Sequence, residues 1–375
     1  MNDRQNSEAL PPFLKASPLR LLETLSEQAR IRLQYGPEFI GDLNAIAVGL
    51  TPRTCVYEEG AMRLYAYAPL TDKPGDGAGG APLLLIYSLI NRPYIFDLRP
   101  KRSLIEYFCQ QGYTVYLLDW GDPTPEMGQA SLGDLVTGTL RRCTRRIQRL
   151  HRQSRIPVLG YCMGATFASL YAAYRPQDIE RLILLTPMLG HTPDGALQKI
   201  SASQQLSPEL MHGQLISGRQ LKMFFNAVKP AGMIKKERDF WQNYDSDTFL
   251  EHFLPVEKWG NDTPDIPGKV FQELIQRVIR ENQLRQGQMN LDGKALDMTA
   301  ITCPVLAVAA QHDWIIPASA LQVGATVFTQ AEYTPYLLKG GHIGLVVGRS
   351  AATLWQDLRT FLQGQSVTSP VALPG

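Results

Sequence analysis

The chain has 375 residues, 44% of them hydrophobic and 19% charged, which is enough to enclose one large core. Lys and Arg outnumber Asp and Glu by 37 to 35, a net charge of +2. That near balance removes any global electrostatic case for nucleic acid or an anionic membrane as partner.

The N-terminal stretch MNDRQNSEALPPFLK is polar and lacks an apolar run, so no secretory signal is expected. Residues 1–60 read as an N-terminal helical extension, with an amphipathic helix over Pro18–Tyr35 packed on the core. KPGDGAGGAP (73–82) is a turn or loop by composition. An alternation of strand and helix then begins. Strands are predicted at 82–89, 113–121, 156–162 and 181–187, and later at 304–313 and 334–342. Helices fall at 103–112, 132–154, 165–174 and 351–363. The longest apolar run, Pro82–Ile90, is far too short to span a bilayer. Apolar strands separated by helices predict a mostly parallel sheet with helices on both faces. The core is expected over 61–189 and 301–365, with a helical cap inserted at 190–300 and a flexible tail at 366–375. A cap over the carboxyl ends of the strands covers the edge where such sheets bind ligands.

Five cysteines stand at 55, 109, 143, 162 and 303. They are odd in number and form no CxxC pair, which argues against a zinc site and a disulfide framework and fits a reducing cytoplasm. One of them lies in Gly160-Tyr161-Cys162-Met163-Gly164, between an apolar strand and a helix. This is the pattern of a nucleophile elbow, the lipase-like box of the α/β-hydrolase fold, with cysteine as nucleophile. The glycines allow strand and helix to approach around a strained turn, and the Met163 N–H points at a developing oxyanion. A second oxyanion donor is expected from Ser88-Leu89-Ile90-Asn91, with the N–H of Ile90 first choice and Leu89 close behind. The elbow predicts an acid after a later strand and a histidine after the last one. Asp313 and His342 occupy those places in that order. His312 precedes the acid and reads as a loop residue, and Asp119 as a structural turn residue. His151, His191, His212 and His252 lie in helix or cap context and carry no assigned chemistry. Asn91, Arg92 and Tyr94 flank the oxyanion loop and are expected to bind substrate.

His342 is expected to accept the Cys162 proton or to hold the thiolate as an ion pair, and Asp313 to fix the imidazole tautomer and stabilise its charged form. A thiolate exchanges well with thioesters, and an acyl-cysteine stays activated for a second transfer. The elbow therefore favours acyl transfer over ester hydrolysis. A thioesterase, lactone hydrolase or polyester hydrolase of the same fold is the alternative. The arginines at 141, 142, 145, 146, 149, 152 and 155 read as a solvated helix face. Phe224, Phe225, Phe240, Trp241, Tyr244, Phe249 and Phe253 read as a small core of the cap.

Larger blocks carry a family resemblance. They are VGLTPRTCVYEEGAMRLYAY (48–67), LLLIYSLINRPYIFDLRPKRSLIEYF (83–108), GYTVYLLDWGDP (112–123) and GYCMGA (160–165). EKWGNDTPDIPG (257–268), NQLRQGQMNLDGKALDMTAITCPVLAVAAQHDWIIP (282–317) and GGHIGLVVG (340–348) continue them. Together they resemble the polyhydroxyalkanoate synthases, in the short form whose catalytic subunit works with a second protein. The resemblance implies that Cys162, Asp313 and His342 carry catalysis on an (R)-3-hydroxyacyl-CoA, giving a polyester and free CoA. It implies no metal or redox cofactor, a second synthase subunit, and a cytoplasmic location at the surface of polyester granules. A homo-oligomer is compatible with it. The family elbow usually ends Gly-Gly, whereas this chain has Gly164-Ala165.

Overall fold

A computed structural model of the chain describes residues 43–70, 80–192, 195, 196, 198, 214–228, 230–243 and 246–373. The helix expected at Pro18–Tyr35, most of the 73–82 loop, His212 and Tyr244 lie outside the described residues. The chain divides into two compact units, Met1–Ile46 and Ala47–Gly375. In the first, Leu43–Ala45 forms a single 3-10 turn.

The second unit is built on one eight-stranded sheet. Its strands are β1 (Thr54–Glu59), β2 (Met62–Tyr67), β3 (Ala81–Ile86), β4 (Tyr113–Asp119), β5 (Ile156–Tyr161), β6 (Ile179–Leu185), β7 (Val305–Ala310) and β8 (Tyr333–Leu338). Their spatial order is β1-β2-β4-β3-β5-β6-β7-β8. β1 and β2 pair antiparallel, as do β2 and β4. Every other pairing in the sheet is parallel. The helices are α1 (Leu104–Gln110), α2 (Arg141–His151), α3 (Met163–Tyr174), α4 (Gly218–Val228), α5 (Pro230–Asn243), α6 (Asp247–Asn261), α7 (Gly268–Glu273), α8 (Ala320–Val327) and α9 (Ala351–Leu362).

Side chains alternate across the pleat, so each apolar strand feeds two cores. Leu84, Ile86, Val158, Leu182 and Leu184 face one side, with Ile147 of α2 and Phe167 of α3. Leu83, Leu85, Leu159, Ile183 and Leu185 face the other, with Phe108 of α1 and Leu358 of α9. Each fully buried leucine contributes about 1.5–3 kcal/mol. This two-sided burial is why the strands read as apolar runs without alternation.

Three expected boundaries are corrected. The sheet begins at Thr54 inside the segment expected to be helical, because Thr54, Val56 and Tyr57 suit a strand and Gly60, at φ +56°, closes a hairpin. β1 is an edge strand with exposed ends, so it carries no apolar period to read. The second half of the expected cap is core: Val270, Phe271, Leu274, Ile275, Val278 and Ile279 belong to the same cluster as Phe167. The tail is not loose along its described length. Ser369 Oγ accepts from the Leu337 N–H at 2.9 Å and donates to Val371 O at 2.6 Å, which sets the tail along β8.

The cap proper runs from 215 to 261. Leu215–Ile216 pairs with Ile266–Pro267, and α4, α5 and α6 lie between. Phe253 meets Phe240 at 5.1 Å and Phe249 at 5.2 Å, a small apolar cluster as expected. Phe225 meets Phe224 at 5.7 Å and also Trp314 of the core at 6.4 Å. Among the described residues, no helix is long and apolar enough to cross a membrane.

Candidate active site

β5 stops at Tyr161 and α3 starts at Met163, leaving Cys162 alone at the turn. Its backbone sits at φ +57°, ψ −122°, a conformation that side chains rarely adopt. The Cys162 N–H donates to Leu185 O at 2.9 Å, which ties the turn to β6. A Cβ at Gly164 would lie 2.1 Å from Ile86 O, and one at Gly160 would lie 2.5 Å from the Ala165 Cα. Both glycines are therefore set by the approach of α3 to the sheet. Ala165 is fully buried within the core and does not line the cavity above Cys162.

The acid follows β7. Asp313 Oδ1 accepts from the N–H groups of Ile315 and Ile316 at 2.8 and 3.0 Å. Its Oδ2 binds His342 Nδ1 at 2.6 Å. That bond leaves Nε2 of the imidazole free of Asp313, and Cys162 and His342 line the same cavity. Tyr161 packs on the imidazole at 5.2 Å, and its hydroxyl donates to His342 O at 3.3 Å. Burial alone would lower the His342 pKa, but the charges and hydrogen bonds of Asp313 and Cys162 outweigh it and push it up to about 10. His312 is exposed, and its N–H donates to Gly340 O at 2.8 Å, joining the acid and histidine loops through backbone alone. His151 pairs with Tyr116 and His252 with Arg99, both away from the cavity. Burial pushes the Cys109 and Cys143 thiols up to about 12, which leaves them unreactive packing residues.

Cys162 and His342 lie on the wall of a cavity of about 250 Å³. Tyr87, Tyr161, Trp314, Ile315 and Ile343 supply much of its apolar lining. These residues adjoin the motif positions at the strand ends, and that adjacency is the signal that could have found them. Trp259 and Asn261, also on the wall, come from EKWGND in the cap. Among the described residues, no group of three His, Cys, Asp or Glu side chains is placed to hold a metal ion.

The expected oxyanion and substrate residues divide. Met163 is the first residue of α3, where N–H groups lack intrahelical acceptors. The Ile90 N–H is not available: it donates to Ser88 Oγ at 3.0 Å inside its own loop. No acceptor is found for the neighbouring Leu89 N–H among the described residues. Asn91 does line the cavity, at φ +64°, and its Nδ2 donates to Trp259 O at 2.9 Å. Arg92 and Tyr94 do not. Arg92 pairs with Asp122 and Asp262, and the Tyr94 hydroxyl donates to Asp262 at 3.2 Å. The Trp259 indole N–H donates to Arg92 O at 2.8 Å. Both side chains thus clamp the loop after β3 to the end of α6 and the start of the following turn. Partners 168 to 170 positions away leave no local sequence mark.

A triad on an eight-stranded, mostly parallel sheet, with the acid after β7 and the histidine after β8, defines an α/β hydrolase. The family of that fold matches residues 81–348. A second family, described as the N-terminus of poly-beta-hydroxybutyrate polymerase (PhaC), matches residues 40–108. A poly(3-hydroxyalkanoate) polymerase subunit PhaC from Allochromatium vinosum is 31% identical over 339 residues, covering 89% of this chain and 94% of that one. One from Haloferax mediterranei is 30% identical over 337 residues, covering 88% and 68%. The chain belongs to the poly(3-hydroxyalkanoate) polymerase subunit PhaC family. Among solved structures, BpoC of Mycobacterium tuberculosis, described as a non-heme bromoperoxidase, aligns at TM-score 0.50 and 14% identity over 81% of this chain and 97% of that one. That likeness concerns the fold alone.

Proposed function

We propose that this chain polymerises (R)-3-hydroxyacyl-CoA into polyester through an acyl group carried on Cys162. The observation that carries the reading is the line of Asp313, His342 and Cys162 at the base of an apolar cavity, in a chain of the polymerase family. His342, protonated at neutral pH, holds Cys162 as a thiolate, and Cys162 Sγ attacks the thioester carbonyl. The Met163 N–H, with that of Leu89 in place of Ile90, holds the oxyanion. The carbonyl re-forms, the C–S bond to CoA breaks, and the imidazolium returns its proton to the departing thiolate. The 3-hydroxyl of another hydroxyacyl group then attacks the acyl-cysteine. His342 accepts that proton, an ester forms, and the Cys162 thiolate is restored. Asp313 holds the Nδ1 proton and stabilises the imidazolium, in keeping with the raised pKa of His342. No metal or redox group is needed for these steps. A second subunit and attachment to the polyester surface belong to the same reading and rest on the family resemblance.

The test is incubation of the purified chain with 3-hydroxybutyryl-CoA, with and without an extract supplying a partner. Polyester formed in step with thiol release supports the polymerase, and dependence on extract supports the second subunit. Free 3-hydroxybutyrate matching the released thiol would make the chain a thioesterase.

A further inference from the structure

The cap side of the cavity has a character that acyl chemistry does not use. Three charged side chains besides His342 line the cavity among the described residues: Lys222, Lys236 and Glu257. They stand on α4, α5 and α6 respectively. Lys236 Nζ is 2.9 Å from both Glu257 carboxylate oxygens. Asn261 Nδ2 donates to Glu257 Oε1 at 3.0 Å, and Lys222 Nζ donates to Asn261 Oδ1. Two ammonium groups thus share one carboxylate and one neutral amide, which leaves the rim with one excess positive charge. The Lys236 side chain is 51% exposed and that of Glu257 18%, so the ammonium is more open to solvent than the carboxylate it pairs with. The cavity thus has two characters, an apolar lining supplied by the strand ends and by Leu221, Phe225 and Trp259 of the cap, and two lysines supplied by the cap alone.

An acyl-CoA has the same two characters. Its acyl end is neutral and apolar, while its far end carries a diphosphate and a further phosphate. The polyester product carries no such groups. We infer that Lys222 and Lys236 form a phosphate-binding rim for the CoA half of the thioester, with Glu257 holding Lys236 in place when no anion is present. The inference rests on the polymerase reading above. Lysine suits the task, because a flexible point charge follows a mobile phosphate and releases it again. The rim would draw in each new thioester while leaving the neutral chain free to move out.

The test is titration of CoA and of pantetheine, which lacks the phosphates, into the full chain and into its Lys222→Ala/Lys236→Ala variant at two salt concentrations. The variant is expected to bind CoA at least about tenfold more weakly, with pantetheine changed less than twofold. Its CoA affinity should also depend less on salt. The Lys222→Arg/Lys236→Arg variant should recover most of the CoA affinity. Equal CoA affinity in wild type and alanine variant would overturn the assignment. So would equal weakening of CoA and pantetheine, which would mark a general loss of cap structure. Binding needs no turnover: a wild type that binds CoA through these lysines yet releases no thiol would count against the polymerase reading alone.

Discussion

Cys162 holds a backbone conformation at φ +57° that its side chain disfavours, and its neighbours make that position useful. His342 is bonded to Asp313 and lines the same cavity as Cys162. In the proposed reaction, removing either end of that line removes the nucleophile or its base. Cys162→Ala and His342→Ala should each lower thiol release from 3-hydroxybutyryl-CoA by at least about a thousandfold. Asp313→Asn is a different case. Two backbone N–H groups still hold Oδ1, but the imidazolium loses its counter-charge. The variant should still acylate Cys162 while chain transfer slows at least about tenfold, seen as an acyl-protein that persists in single-turnover assays. Wild-type turnover in that variant would remove Asp313 from the mechanism. The His342 pKa also sets a stability window. It is raised from 6.5 to about 10, so the stabilisation from its charged form is complete below pH 6.5 and is lost as pH rises through 10. The Tm difference between wild type and His342→Gln should shrink across that range. A difference that grew with pH would mean the imidazole is held neutral.

At the scale of the element, the elbow depends on how closely α3 approaches β3 and β5. Gly164→Ala places a methyl 2.1 Å from Ile86 O, where backbone must move. Destabilisation of about 1–3 kcal/mol is expected, with loss of activity, measured by denaturant unfolding and thiol release. Ala165→Gly reverses the family departure. Because the Ala165 methyl is buried in the core and not on the cavity wall, kcat should change less than twofold. Stability should fall by about 1 kcal/mol from helix propensity and lost packing. A large change in kcat would mean that the methyl shapes the cavity floor. The arginine-rich α2 divides between two roles. Arg142 forms a two-pronged pair with Glu59 at 2.6 and 2.5 Å, and Arg146 Nε donates to Val56 O at 3.2 Å, so both hold the β1 edge. Arg145 and Arg149 face solvent, as expected of a charged helix face, and Arg152 and Arg155 are exposed beyond its end.

Over the whole molecule, the sequence was legible where structure is local. Apolar strand runs marked β3 to β8, because burial on both faces demands them. The elbow and the order of Cys162, Asp313 and His342 could be read because each lies at a strand's carboxyl end. The β1–β2 hairpin was missed because its edge strand is exposed, and residues 268–280 were placed in the cap because a helix against the sheet looks like any other helix. The bonds of Arg92 and Tyr94 to Asp262 leave no mark in the sequence, because Asp262 is set beside them only by the fold. The central claim is a covalent acyl group on Cys162. The most direct measurement is intact mass and peptide mapping of wild type, Asp313→Asn and Cys162→Ala after brief exposure to 3-hydroxybutyryl-CoA. The account predicts a hydroxyacyl adduct on the peptide holding Cys162 in the first two and none in the third. Thiol release from the wild type with no adduct at Cys162, or an adduct that survives in Cys162→Ala, would contradict it.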